Sequence, residues 1–328
     1  MLHVHCGDSS AETLRRSGVP GQVMVWTELY VHGPLPSAAT DAEWRRIRSA
    51  ALSESLWGTV GPEACAARLA RQDHDLNAFG SHDEVVLWFD ACLFDQLILI
   101  RQLDWFGRQD MGPTRLSLLC VGEHPAVPRF RGLGELSGPQ MAALLPDRQD
   151  VTRAQMGLAS RAWAAVRSPE PAAVAALADA DTSALPYLGH ALNRHLEQLP
   201  STRNGLNRLE DEILRAAGEG QVALPALFTR VSDMEERPFF GDTYLWMTVD
   251  RLAEASHPAL RIHGPGPILR RADPREISSW SVELTATGRA LLDGRAGWFA
   301  LNQPDRWWGG VHLDPARPVR WGAAHLSL

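Results

Sequence analysis

Short apolar runs alternate with amphipathic stretches through the first 125 residues, and this alternation is the strongest signal in the chain. "MLHVHC", "QVMVW", "EVVLWF" and "RLSLLCVG" have the length and the β-branched and aromatic content of buried strands. Between them, "DAEWRRIRSAALSES", "PEACAARLARQDHDL" and "FDQLILIRQLDWF" carry apolar residues at helical spacing. Strand and helix in turn predict an α/β domain over residues 1–135, a Rossmann-like open, mostly parallel sheet covered on both faces. Ligands of such sheets sit beyond the carboxyl ends of the strands, where the strand order switches.

From 136 to 200 the strand pattern stops and proline- and glycine-punctuated helices follow, giving a helical region. "PSTRNG", at 200–205, reads as a linker. Three helical segments come next, "LNRLEDEILRAAGEG", "LPALFTRV" and "GDTYLWMTVDRLAEA", then strand, turn-rich loop, strand and a last helix. Three helices and a two-strand wing predict a winged-helix-like C-terminal domain over 201–328. "ELTATGRALL" is similar to the wing-to-helix exit of bacterial winged-helix regulators.

Composition narrows the chemistry. A net charge of −7 argues against a nucleic-acid coat or a basic membrane-surface protein. No apolar run approaches the roughly 18 residues of a membrane span, and the opening residues are too polar for a secretory leader. A cytoplasmic protein with no membrane partner is expected. Cys6, Cys65, Cys92 and Cys120 have neither zinc-knuckle nor disulfide spacing. The chain has no lysine, so its 32 basic residues are all arginine. That excludes a Walker-type ATP site, a Schiff base and pyridoxal phosphate as cofactor. An arginine-only, alanine-rich chain also points to a GC-rich bacterial genome. The full GxGxxG fingerprint is absent after the first strand, which disfavours a tightly held dinucleotide.

Candidate chemistry gathers at the expected ligand edge. In "HVHCGDSSAETL", Ser9 and Glu12 fit a capping box, and the amides after Gly7, with Asp8, Ser9 and Ser10, could equally receive a small anion. Strand–Gly-Asp-Ser–helix also resembles the first motif of the SGNH esterases, but their late Asp-x-x-His is missing, and "VHLD" at 311–314 has the order reversed. His3 and His5 share one strand face, as a metal pair would, or as two hydrogen-bonded core histidines. Asp90 ends the third strand, Asp95 and Gln96 lie one turn into the next helix, and Glu28 follows "QVMVW". Such carboxylates can act as acid and base, hold Mg or Mn (His3, His5, Asp8 and Asp90 being the candidate ligands), or simply cap helices. Gly33-Pro34 shapes a turn that could admit a ligand. Arg15, Arg16 and Arg101 are candidate cations for an anionic substrate.

DNA as a partner is disfavoured. The third C-terminal helix has Asp242, Asp250 and Glu254 against Arg251 alone, and only the wing (Arg270, Arg271, Arg275) is basic. "NQPDRWWGGVHL" is either a loop docked by tryptophans or a wall of the active cleft.

With "VWTELYVHGPL", "LWFDACLFDQLILI", "GLGELS", "STRNGLNRLEDEIL", "FFGDTYLWMTVDRL" and "LTATGRALL", these phrases make the chain similar over nearly its whole length to the bacterial family called domain of unknown function 1835. The resemblance implies the architecture but no reaction. It implies that Gly7, Asp8, Ser9, Trp26, Glu28, Gly33, Pro34, Asp95 and Gln96 form one functional surface. Relatives tend to carry an aspartate where this chain has Cys92, beside Ala91, so a thiol at a helix start replaces a carboxylate. Cys92 is then a candidate nucleophile or ligand, or the relic of a lost site. The expected function is an enzyme or binder of a small anionic molecule, such as a phosphorylated one, in which Glu28, Asp90, Asp95 and Cys92 are candidate catalytic groups. A ligand-sensing regulator and a non-catalytic interaction protein are the alternatives.

Overall fold

The structure is a computed structural model describing residues 1–37, 40–55, 58–218, 220–268, 276–316, 319–322 and 325–327. Its first part runs β1 (Leu2–Cys6), α1 (Asp8–Arg16), β2 (Gln22–Trp26), β3 (Gly33–Pro34), α2 (Asp41–Ser55), α3 (Pro62–Asn77), β4 (Glu84–Asp90), α4 (Leu93–Phe106) and β5 (Arg115–Val121). The four apolar runs are the four long strands. They pair in parallel, and a short antiparallel edge, β6 (Gln149–Asp150), which the apolar pattern does not predict, completes the order β2-β1-β4-β5-β6.

All seven residues of β4 are buried, as a central parallel strand covered on both faces requires. Val86 and Trp88 pack with Leu14 of α1 and Met141 of α5 (Gly138–Leu144) on one face. Val85, Leu87 and Phe89 face α4 on the other. α4 is apolar on nearly every side because α6 (Arg153–Val166) and α8 (Leu188–Leu196) cover what the sheet leaves open, with α7 (Ala172–Ala178) beyond them. Leu97, Ile98, Leu99, Ile100 and Leu103 are at most 1% exposed, each worth about 1.5–3 kcal/mol of burial.

The C-terminal part runs α9 (Arg208–Ala217), β7 (Val222–Ala223), α10 (Leu224–Met234), α11 (Asp242–Glu254), β8 (Leu260–His263), β9 (Ser281–Leu284) and α12 (Ala286–Leu292), with β7-β9-β8 as a small antiparallel sheet. Arg270, Arg271 and Arg275 lie outside the described residues. One apolar cluster spans the sheet, the helical middle and these last helices. "PSTRNG" is not a free linker. Ser201 Oγ donates to Asn204 Oδ1, buried Asn204 donates to Leu291 O, and the Thr202 amide donates to Trp321 O.

β10 (Arg306–Gly309) and β11 (Val311–Leu313) form a hairpin, and β10 also pairs in parallel with β3, Trp308 opposite Gly33 and Gly309 opposite Pro34. The double glycine of "RWWGGV" has a packing cause. A Cβ on Gly309 (φ +59°) would lie 2.6 Å from Val166 O, and one on Gly310 would overlap Arg167 O, while the Gly310 amide donates to Val166 O. Trp308 Nε1 donates to His195 O, so this segment is a docked loop. Among the described residues no helix is long and apolar enough to cross a membrane.

Candidate functional site

β1 connects to β2 on one side, while β4 lies on the other, so the strand order switches between β1 and β4. The helices that follow these strands, α1 and α4, cover opposite faces of the sheet. Their starts converge on the carboxyl ends Cys6–Gly7 and Asp90–Cys92, where open α/β sheets bind ligands.

At α4, backbone and side chains form one group. The Cys92 amide donates to Asp90 Oδ1 (2.9 Å), the Leu133 amide to Asp90 Oδ2 (3.3 Å) and the Asp90 amide to Asp95 Oδ2 (2.7 Å). Gln96 Nε2 donates to Asp90 O (2.7 Å) and faces Cys120 Sγ. Cys92 caps α4 by accepting from the Asp95 amide. Gly132, φ +151°, is small for a reason: a Cβ there would sit 2.5 Å from Asp90 Oδ2. Burial pushes both carboxyls above the ordinary carboxylate range, and the Asp90 charge adds to the effect at Asp95. Burial also raises the Cys6 and Cys92 thiols, so neither is a ready thiolate.

Asp90, Cys92 and Asp95 are the one group of three such ligand atoms close enough for a metal among the described residues. The donor set does not fit Mg²⁺ or Mn²⁺. Those ions prefer oxygen ligands and Mg²⁺ keeps several waters, whereas this trio is buried, includes a thiol and already accepts four backbone N–H groups.

An expected outcome follows for Asp95→Asn. A carboxyl whose folded pKa is raised lowers stability progressively as pH rises from its unfolded value, near 3.8, toward the folded value. The asparagine variant lacks that penalty. Its stability relative to the wild type should therefore increase between pH 4.5 and pH 7 in urea unfolding. A difference that is flat over this range would mean that Asp95 ionises freely.

The remaining expected site residues lie apart from this group. α1 starts at Asp8, with Gly7 (φ +82°) as its cap residue, so Ser9 is inside the helix and does not cap it. Gly7 turns the chain directly from strand to helix. Ser10 Oγ donates back to Cys6 O, and Glu12 pairs with Arg15 and Arg16 in place of the capping box. Gly7, Asp8 and Ser9 are exposed, Asp8 facing Arg68 at 3.4 Å. No described histidine or carboxylate hydrogen-bonds the Ser9 hydroxyl, so the structure gives it no base.

His3 is a satisfied core histidine. Its Nδ1 accepts from Trp88 Nε1 (3.0 Å), and its Nε2 meets Pro20 O (3.1 Å). His5 stacks on Trp88 and turns Nδ1 to Cys6 O, and burial lowers its pKa to about 4. The four candidate metal ligands His3, His5, Asp8 and Asp90 are thus not gathered into one set.

Glu28 belongs to a second group. Its carboxylate is 1% exposed and accepts from Arg48 Nη2 (2.9 Å), and Arg48 also donates to the carbonyls of Leu29, His32 and Pro34. Gly33 (φ +71°) is small because a Cβ would overlap Ala51 of α2. Glu28, Gly33 and Pro34 therefore build the α2 and β3 junction, and hydrogen bonding places Asp95 and Gln96 with Asp90 instead.

The open space at the strand ends lies elsewhere on the same edge. A cleft of about 860 Å³ opens directly after β5, between residues 122–131 and 233–237. Arg129 and Arg131 both reach Asp233, and the Arg237 guanidinium lies 5.0 Å over the Tyr187 ring with no ion-pair partner among the described residues. The field of Arg237 reaches Asp90 and Cys120 and opposes their upward shift. Sequence reasoning missed these residues. The signal was "HPAVPRFRG", a loop with a histidine and two arginines immediately past a strand end.

In the C-terminal part, Leu245–Asp250 of α11 are all buried. Tyr244 Oη donates to Val31 O (3.0 Å), and Arg251 faces Glu54 (3.5 Å), so α11 is packed on the N-terminal layer. Comparison with protein-family models finds no match for this chain, and comparison with curated proteins finds none either.

Proposed function

We propose that this chain binds a small anionic molecule at the carboxyl edge of its sheet, as a Rossmann-like domain carrying a winged-helix-like C-terminal part. One observation carries the reading: Arg237 lines the cleft after β5 with no ion-pair partner among the described residues, while Arg129 and Arg131 share Asp233, Glu235 is held by Arg194, and Glu123 and Glu236 complete the charged lining. Arginine forks recognise phosphate or carboxylate in two-point contacts. Similarity to the family called domain of unknown function 1835 is part of this proposal and adds an architecture without a reaction.

The order α9-β7-α10-α11-β8-β9, with sheet order β7-β9-β8, supports the winged-helix reading. Its recognition helix would be α11, and a helix buried in this way is not free to enter a groove. That favours a packing role over DNA binding: the end of α10 supplies a wall of the cleft. The test is a thermal-shift panel of sugar phosphates, small carboxylates, acyl carriers and DNA duplexes. A ligand at about 100 times its Kd should add roughly 2.7 kcal/mol of stability. A small-anion shift that disappears in Arg237→Gln is expected. A shift with DNA alone, indifferent to that change, would sink the proposal.

A further inference from the structure

A second cavity, of about 490 Å³, lies on the α4 face of the sheet, walled by α2, α3, α4 and α6 and sharing no lining residue with the cleft after β5. It falls within the size range of small-molecule sites. Trp44, Trp105 and Trp163 give it flat aromatic walls. Arg45, Arg101, Arg108 and Arg167 enter it as well.

Two of the four cations are balanced. Arg45 binds Asp73 at 3.2 Å, and Arg108 binds Asp104 at 2.8 Å. The other two have no carboxylate among the described residues. Arg167 donates through Nε to Pro36 O (2.9 Å), and its guanidinium lies 5.3 Å over Trp44 and 5.7 Å over Trp163. Arg101 lies 5.5 Å over Trp26, and its buried Nη1 has no hydrogen-bond partner among the described residues. A buried guanidinium N–H without an acceptor costs on the order of 1–3 kcal/mol or more, so such donors normally meet a water or a ligand. Burial lowers the Arg167 pKa; the Asp104 charge opposes this, and the charges of Arg101 and Arg108 add to it. Against these two cations stands Asp41, for which no ion pair is seen among the described residues. An oxyanion here would satisfy Arg101 and relieve the repulsion between the guanidiniums.

We propose that this cavity takes a planar aromatic ring bearing a phosphate, the chemistry of a nucleoside monophosphate. Arg101 and Arg167 meet the phosphate, and the ring stacks on the exposed parts of Trp44 and Trp105. Two guanidiniums suit a doubly charged phosphomonoester better than a single carboxylate. Stacking on indole supplies about 1–3 kcal/mol for any base, and Asn77 and Gln109 line the wall where a base edge can be read.

The experiment is calorimetric titration of the full chain at pH 7.5 with AMP and GMP, with adenosine, ribose 5-phosphate and inorganic phosphate as comparators. A nucleotide should bind at least tenfold more tightly than adenosine or ribose 5-phosphate. Arg101→Gln should weaken it tenfold or more, while Arg237→Gln, in the other cleft, leaves it unchanged. Trp105→Leu is the second variant, should Arg101→Gln fail to fold, and should weaken the nucleotide while sparing inorganic phosphate. No nucleotide binding at millimolar concentration would overturn the proposal, as would equal binding of nucleotide and ribose 5-phosphate. Loss in Arg237→Gln but not in Arg101→Gln would move the nucleotide to the cleft after β5.

Discussion

Replacing Arg48 by alanine is expected to destabilise the protein by about 3–5 kcal/mol, the usual cost of stripping a buried charge of its partner. Arg48 is fully buried on α2 and Glu28 nearly so. Without the guanidinium, Glu28 keeps a buried carboxylate without its cation, and the carbonyls of His32 and Pro34 lose the Arg48 donor, while Leu29 O keeps only the His32 amide. Each orphaned carbonyl adds to the loss. The counter-test is the pair. Arg48→Met with Glu28→Met removes both charges and should recover much of the stability, since a well-packed apolar pair often replaces a buried ion pair at little cost. Chemical denaturation of the three variants measures this directly. If Arg48→Ala alone loses less than about 1 kcal/mol, Glu28 is not dependent on it and regains its standing as an available acid at the sheet edge.

Gly310→Ala is expected to cost about 3 kcal/mol or more. Three backbone atoms of residues 167 and 168 occupy the space a Cβ would need, and backbone yields less readily than a side-chain tip. Relief requires β10 to move away from the end of α6, which breaks the Gly310 amide bond to Val166 O and disturbs the Leu35 amide bond to Gly309 O, 2.8 Å long. Faster hydrogen exchange at the Leu35 and Gly310 amides, together with the stability loss, would identify the mechanism. Retained stability with unchanged exchange would show that the clasp tolerates a side chain.

The contrast between these two regions and the central sheet explains what the sequence discloses. β4 is legible because a strand buried on both faces must be apolar throughout, and "EVVLWFD" is. α2 is legible because its spacing is helical over 15 residues, and α4 because an apolar-rich run of 14 residues is too long for a strand. β3 is not, since two residues, Gly33 and Pro34, become a strand only when β10 arrives beside them. Glu28 has the look of an edge acid because it follows a strand, and nothing local announces that Arg48, twenty residues later, will be folded onto it. Ser9 is misread for a different reason. The capping box is a sound local pattern, but the positive φ of Gly7 starts the helix two residues earlier. Asp90 and Asp95 are found at the right edge, whereas their burial depends on the loop through Gly132 and Leu133, which comes some forty residues later. Arg237 joins the loop arginines Arg129 and Arg131, and Arg101 joins Arg167, from separate elements, so only the fold brings each set together.

The parallel pairing of β3 with β10 also orders events in time. Gly33 and Pro34 leave the ribosome about 275 residues before Trp308 and Gly309, their only strand partners among the described residues. At 5–20 residues per second, that is a wait of roughly 14–55 s. During this interval β1, β2, β4 and β5 are all available to assemble, while the segment after Trp26 has no strand to join. A nascent chain held before residue 306 should therefore protect the amides of the parallel sheet and leave Leu35 exchanging freely.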